Sequence, residues 1–197
     1  IVLITVAAVF DALDGRTARR FKTQSAFGAA LDSLSDLVVF GVVPALCLFT
    51  WALQDSGNIA WVATLFFAVS IALRLARFDS ELPNPADYAA NYFTGIPAPA
   101  AGFLVLMPIV IDLEFGLEVV RHASYVSIWL VLIGAGAVST LPTFAGKKLK
   151  LPVDTVLPVL ALVGLLGAAI VADPRLTYLA LATAYIGSLP FASNRLL

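Results

Sequence analysis

Four aspartates carry the chemistry that this sequence offers. Asp11 and Asp14 stand three residues apart and Asp32 and Asp36 four apart, so on a helix each pair projects from one face. Two helices turning these faces toward each other would make a four-carboxylate site. Four ionised carboxylates repel strongly in a low dielectric, and either protonation or bound cations must relieve them. An all-oxygen donor set favours hard divalent ions such as Mg²⁺ or Mn²⁺. The neighbours suit a substrate site. Gly15 and Ala18 follow Asp11 by four and seven residues, and Gly28 precedes Asp32 by four, which leaves both acidic faces nearly bare and lets a nucleotide or phosphate lie against the backbone. Arg19 adds a fixed positive charge with a fork suited to phosphate.

The elements that must position these acids are membrane helices. Of the 197 residues 60% are hydrophobic and 13% charged, and the mean hydropathy of +0.95 lies outside the range of soluble domains. Charge-free runs cover residues 37–54, 56–73, 88–111, 123–146, 155–172 and 176–194, each approaching or spanning a hydrocarbon core that needs about 20 helical residues. None alternates as the strands of a transmembrane barrel do. The expected fold is therefore an all-α, polytopic bundle forming a single domain over residues 1–197. An aspartate near the hydrocarbon costs about 2.5 to 3.5 kcal/mol on insertion scales, which makes intramembrane acids functional candidates.

Residues 1–10 form a short apolar run that begins with Ile1 rather than Met, so an N-terminal segment is expected to be missing; the run lacks the pattern of a signal peptide. Threading seven helices in strict alternation places ten of the twelve basic residues on one side. Arg16, Arg19, Arg20 and Lys22 follow the first helix; Arg74 and Arg77 lie in the third connection, Lys147, Lys148 and Lys150 in the fifth, and Arg195 at the end. The connections around Asp55, 112–122 and 173–175 hold only Arg121 and Arg175. The basic side is thereby assigned to the cytoplasm, with the acidic site facing it. Trp51, Trp61 and Trp129 fall near the outer boundary, as in an aromatic belt. Pro44, Pro97, Pro99, Pro108 and Pro158 are expected to start or kink helices. Cys47 is the only cysteine and His122 the only histidine, which excludes an internal disulfide and a thiolate zinc cluster. No nucleic-acid partner is expected.

The stretch Asp11-Ala-Leu-Asp14-Gly15-Arg-Thr-Ala18-Arg19, eight further residues, and Gly28-Ala-Ala-Leu-Asp32-Ser-Leu-Ser-Asp36 resembles, at every fixed position, the signature of the CDP-alcohol phosphotransferases. That family transfers a phosphoalcohol group from a CDP-activated lipid to an acceptor alcohol and releases CMP. The resemblance implies that Asp11, Asp14 and Asp32 bind two divalent ions, Mg²⁺ or Mn²⁺, with Asp36 either sharing a metal or accepting the acceptor's proton. It implies that Gly15, Ala18, Arg19, Ser25 and Gly28 contact the CDP-lipid. A serine before a helix is also a common N-cap, which is the plainer reading of Ser25. The family's first helix would be the one absent from this chain.

Beyond the signature, Ser35 to Pro44, Arg74-Leu-Ala-Arg77-Phe78-Asp79, Tyr92-Phe-Thr-Gly95-Ile-Pro97-Ala-Pro99 and Pro142-Thr-Phe-Ala-Gly-Lys147 are similar to the phosphatidylserine synthase branch. This implies CDP-diacylglycerol as donor and L-serine as acceptor. The serine carboxylate needs a cation, for which Arg74, Arg77 and Lys147 are the candidates, and Asp79 stands where the branch often has Asn but could hold the ammonium. The same cations also serve as positive-inside anchors. Other acceptors, such as those giving phosphatidylglycerophosphate or an inositol lipid, fit the same signature. A cation transporter using the four acids is the reading from a different class, but it leaves Gly15, Ala18, Arg19 and Gly28 without a role. Small residues such as Gly134 and Gly136 on an apolar helix suit either packing within the chain or a homodimer.

Overall fold

The computed structural model describes residues 26–80, 92–139, 142–144 and 156–193. Its first element is one continuous rod built from α1 (Ala26–Asp36), a π-helical turn (Leu37–Val42), α2 (Val43–Leu48) and a second π-helical turn (Phe49–Leu53). The widened turn sits where the sequence demands it. Pro44 has no N–H for the Phe40 carbonyl four residues back, and just before it the Val43 N–H reaches five residues back to Val38. The rod is longer than the charge-free run 37–54, because α1 extends it back through both Asp32 and Asp36.

After a short turn the chain returns as α3 (Gly57–Ser80). Arg74 and Arg77 lie within this helix rather than in a connection, which corrects the expectation from charge alone. A long basic side chain near a helix end can carry its charge toward water, so the helix has no need to stop at it. The next span is α4 (Ala98–Val105) followed by α5 (Met107–Phe115), broken at Leu106 with φ −79° and ψ −4°. Pro97 and Pro99 open α4, and Pro108 follows the break. Placing this span at 88–111 is thus corrected to Ala98–Phe115, with Asp112 and Glu114 inside its last turns. A 3₁₀ turn (Glu118–Arg121) leads into α6 (Ala123–Val138), which stops short of the expected 146. Two helices follow, α7 (Val156–Ala172) and α8 (Pro174–Ser193).

The bundle closes where small residues admit a neighbour. The buried side chains of Phe40, Leu48, Phe67, Ile71, Val126 and Leu130 form its centre. A Cβ on Gly102 of α4 would lie 2.9 Å from the Phe40 oxygen and 3.0 Å from its Cα, so this crossing brings backbone against backbone, at the carbonyl that Pro44 leaves without its helical donor. α3 packs along α6, where Gly134 faces Phe66 and Ser70. Gly136 meets Ile96 in the same way, so both glycines serve packing within the chain.

Three described segments have the length and apolar composition of membrane spans: Ala30–Leu53, Gly57–Arg77 and Ala98–Phe115. Ile59, Val62, Val69 and Leu73 stand exposed along α3, the outward apolar surface of a helix that faces lipid. α6 is apolar but only 16 residues long.

The two ends of the bundle differ. At one, the guanidinium of Arg121 lies 5.6 Å from the centre of the Trp51 ring, and Arg175 Nη1 donates to the Leu113 carbonyl at 3.2 Å and pairs with Glu114 at 3.7 Å. These contacts gather the connections expected to share the less basic side. At the other end β1 (Tyr92–Thr94) pairs antiparallel with β2 (Pro142–Phe144), Tyr92 opposite Phe144 and Thr94 opposite Pro142. This ladder is absent from the all-helical expectation. It joins two of the segments that carry the phosphatidylserine synthase likeness. Gly95 anchors it: with φ +75° its N-terminal strand turns onto the end of α6, where the Ile96 N–H donates to Gly136 at 3.1 Å.

Candidate active site

The second half of the signature forms a stripe on α1. Gly28, Asp32 and Asp36 recur every four residues along one helical face; Gly28 and Asp32 are exposed and Asp36 is half-buried. Gly28, which carries no side chain, stands one turn before Asp32 on this exposed face. Asp36 ends α1, and the π-helical turn that follows packs against α3.

That packing sets Asp36 beside Arg74. The guanidinium is half-buried and feels the charge of Asp36 from the rod and the hydroxyl of Tyr185 from α8, so three helices converge here. Among the described residues, Arg74 Nε and Tyr185 Oη are buried and make no hydrogen bond. Arg77, one turn on, is exposed and engaged in an interaction of its own. Asp79 lies in the last turn of α3.

Tyr185 was not among the residues singled out from the sequence. It sits outside the signature on an apolar helix, and nothing in its local pattern separates it from a packed aromatic. The signal becomes visible only through Tyr178, two turns earlier on the same face, whose hydroxyl donates to the carbonyl of Phe103 at the α4/α5 break. Buried Leu179 and Ala182 lie between the two tyrosines. Together they fix the register of α8 and carry Tyr185 inward.

Asp11, Asp14, Gly15, Ala18, Arg19, Ser25 and Lys147 lie outside the described residues, as does the first expected helix. Among the described residues no group of three or more acidic, histidine or cysteine side chains closes on a common point. Asp32 and Asp36 supply a pair of carboxylates one turn apart on an accessible face, an all-oxygen donor set that fits a hard divalent ion. Cys47 is a free, half-buried residue of the rod, and His122 is exposed at the opposite end, away from the acids. The tryptophans are more than a belt. Trp61 sets its edge on Phe49 at 5.0 Å, and Trp129 points its indole N–H into the bundle at the Leu104 carbonyl.

Comparison with known proteins identifies the family. The family model for CDP-alcohol phosphatidyltransferase matches residues 1–188. The chain is 35% identical over 193 residues to the CDP-diacylglycerol–serine O-phosphatidyltransferase of Mycobacterium tuberculosis, covering 96% of this chain and 67% of that protein. It is 34% identical over 194 residues to the protein of the same name in Mycobacterium leprae, covering 98% and 64%. It is 36% identical over 151 residues to that of Helicobacter pylori, covering 75% and 61%. The chain thus spans about two thirds of the length of these relatives. With the acidic stripe of α1 set against a bundle of apolar helices, and with the match running through the signature and nearly to the end of α8, this chain belongs to the CDP-alcohol phosphatidyltransferase family.

Proposed function

We propose that this protein transfers a phosphatidyl group from CDP-diacylglycerol to the hydroxyl of L-serine, giving phosphatidylserine and CMP. The observation that carries this reading is that Asp36, the last acid of the signature, and the half-buried guanidinium of Arg74 lie within electrostatic reach of each other across the packed rod and α3. It sets a proton acceptor beside a group that can hold a carboxylate. The names of the similar proteins point to the same donor and acceptor.

Asp11, Asp14, Asp32 and Asp36 would hold two divalent ions, Mg²⁺ or Mn²⁺, which when bound neutralise the diphosphate and polarise the phosphoryl oxygen. Gly15, Ala18 and Gly28 leave room for the nucleotide and diphosphate, Arg19 grips a phosphate oxygen, and Ser25 donates to the CDP moiety or caps α1. Arg74, with help from Arg77 or Lys147, would orient the serine carboxylate. Asp79 would attract the ammonium. Asp36 takes the proton from the serine hydroxyl as its oxygen attacks in line and CMP leaves. The excess of Lys and Arg on this side would set it toward the cytoplasm.

The test is CMP release by the reconstituted protein given CDP-diacylglycerol and Mg²⁺ or Mn²⁺, with L-serine, sn-glycerol 3-phosphate and inositol phosphate offered separately. Serine-dependent release that chelation abolishes is the expected result. Release with one of the other acceptors alone would replace serine while keeping the chemistry.

A further inference from the structure

The mechanism above uses Arg74 but leaves two features of its surroundings without a purpose. Arg74 Nε and Tyr185 Oη are both buried and both without a hydrogen bond among the described residues, and the two side chains are electrostatically coupled. Two orphaned buried polar groups in one place ask for a partner that is not part of the bundle. Both groups can donate, and a guanidinium and a phenol together match an oxyanion with two oxygens. Asp36, coupled to the same guanidinium, is the acid to which the proposed mechanism gives the acceptor's proton.

We infer that Tyr185, reaching in from α8, completes the acceptor subsite: its hydroxyl and Arg74 together hold the carboxylate of the amino-acid acceptor and aim the acceptor's hydroxyl at Asp36. The inference rests on the serine reading and deepens it. Tyr185 is suited to the task because its placement does not depend on ligand. The Tyr178 hydroxyl on the Phe103 carbonyl and the buried Leu179 and Ala182 hold α8 in register, and Tyr185 follows on the same face. A phenol is also selective. It donates one hydrogen bond without adding charge, so the site keeps one cation for one carboxylate. Oxyanions are present in both substrates, as the serine carboxylate and as the CDP-diacylglycerol diphosphate, and also in phosphorylated acceptors. The side of the site decides between them: Tyr185 pairs with Arg74 of α3, whereas the bare, accessible stripe of Gly28 and Asp32 offers its surface on α1.

The test is Tyr185→Phe in the reconstituted protein, which keeps the ring and removes only the hydroxyl. The KM for L-serine is expected to rise about tenfold or more, as for a lost hydrogen bond to a charged group, with kcat and the KM for CDP-diacylglycerol within about threefold of wild type. Serine-induced thermal stabilisation, measured with Mn²⁺ and CMP present, is expected to vanish in the variant while its midpoint without serine stays near that of wild type. An unchanged KM for serine with serine-induced stabilisation retained would overturn the role of Tyr185 and leave the serine reading intact. A matching rise in the KM for CDP-diacylglycerol would also overturn it, by assigning the hydroxyl to the donor or to general architecture. Wild-type protein that releases CMP with sn-glycerol 3-phosphate and not with serine would overturn both.

Discussion

The indole Nε1 of Trp129 donates a 3.1 Å hydrogen bond to the carbonyl of Leu104, the oxygen whose usual helical donor is missing because the residue four places on is Pro108. A proline inside an apolar span creates an acceptor that lipid cannot satisfy. Here the neighbouring helix α6 supplies the donor. One residue earlier, the Phe103 carbonyl receives both the Leu106 N–H and the Tyr178 hydroxyl. The α4/α5 break is therefore a docking point for α6 and α8, and the orientation of the helix that carries Tyr185 depends on it.

Trp129→Phe should lower the stability of the protein by about 1 to 2 kcal/mol, since it strands the Leu104 carbonyl in an apolar setting. Thermal unfolding in detergent measures this. The KM values of the remaining folded protein should be unchanged, because the bond that Trp129 makes is to the Leu104 carbonyl and not to Asp32 or Asp36.

Gly95 and Gly57 separate backbone strain from crowding. Both have positive φ, +75° and +76°, but a Cβ on Gly95 would lie 2.5 Å from the Ala137 carbonyl oxygen and 2.7 Å from that of Ser139, whereas one on Gly57 meets nothing within 4 Å. Gly57→Ala should cost only the left-handed conformation, about 1 to 2 kcal/mol. Gly95→Ala adds a collision with backbone that cannot swing aside, and should cost at least about 1 to 3 kcal/mol more. It should also release the β1/β2 ladder, which faster hydrogen exchange within Tyr92–Thr94 and Pro142–Phe144 would report.

Much of this was readable in the residues and some was not, for physical reasons. The spacing of Gly28, Asp32 and Asp36 predicted a single helical face because a fixed rotation per residue leaves no other choice. The distribution of Lys and Arg put the connections of Arg121 and Arg175 on one side, and the described contacts of these two residues lie at one end of the bundle. It misplaced Arg74 and Arg77, because composition marks where charge stands and not where the helical hydrogen bonds end. The β1/β2 ladder escaped notice since each strand has three residues, too few for an alternating pattern, and their partners are about fifty positions apart. Trp129 read as an interfacial aromatic because its hydrogen bond is decided by a proline on another helix.

The ion pair between Arg175 and Glu114 should matter little. Its 3.7 Å separation and the 54% exposure of the Arg175 side chain leave it largely screened, and Arg175 keeps its bond to the Leu113 carbonyl without Glu114. Glu114→Gln should change stability by less than about 1 kcal/mol and leave CMP release unaltered. A large loss of activity would show that this end of the bundle takes part in the chemistry.

Asp32 and Asp36 should part company when each loses its charge. Both stand on one face of α1, but Asp32 is exposed beside the open position of Gly28, while Asp36 is half-buried beside Arg74. If Asp32 is chiefly a metal ligand, Asp32→Asn removes metal-dependent binding of CDP-diacylglycerol together with turnover. If Asp36 takes the acceptor's proton, Asp36→Asn lowers CMP release by about 100-fold or more, the usual worth of a positioned base, while metal-dependent donor binding survives in part. Binding of CDP-diacylglycerol measured with and without Mn²⁺, alongside serine-dependent CMP release, resolves the two. Equal loss of binding in both variants would make Asp36 a metal ligand first. Full activity of Asp36→Asn would take it out of the mechanism, and with it the reason for placing the acceptor between Arg74 and Tyr185.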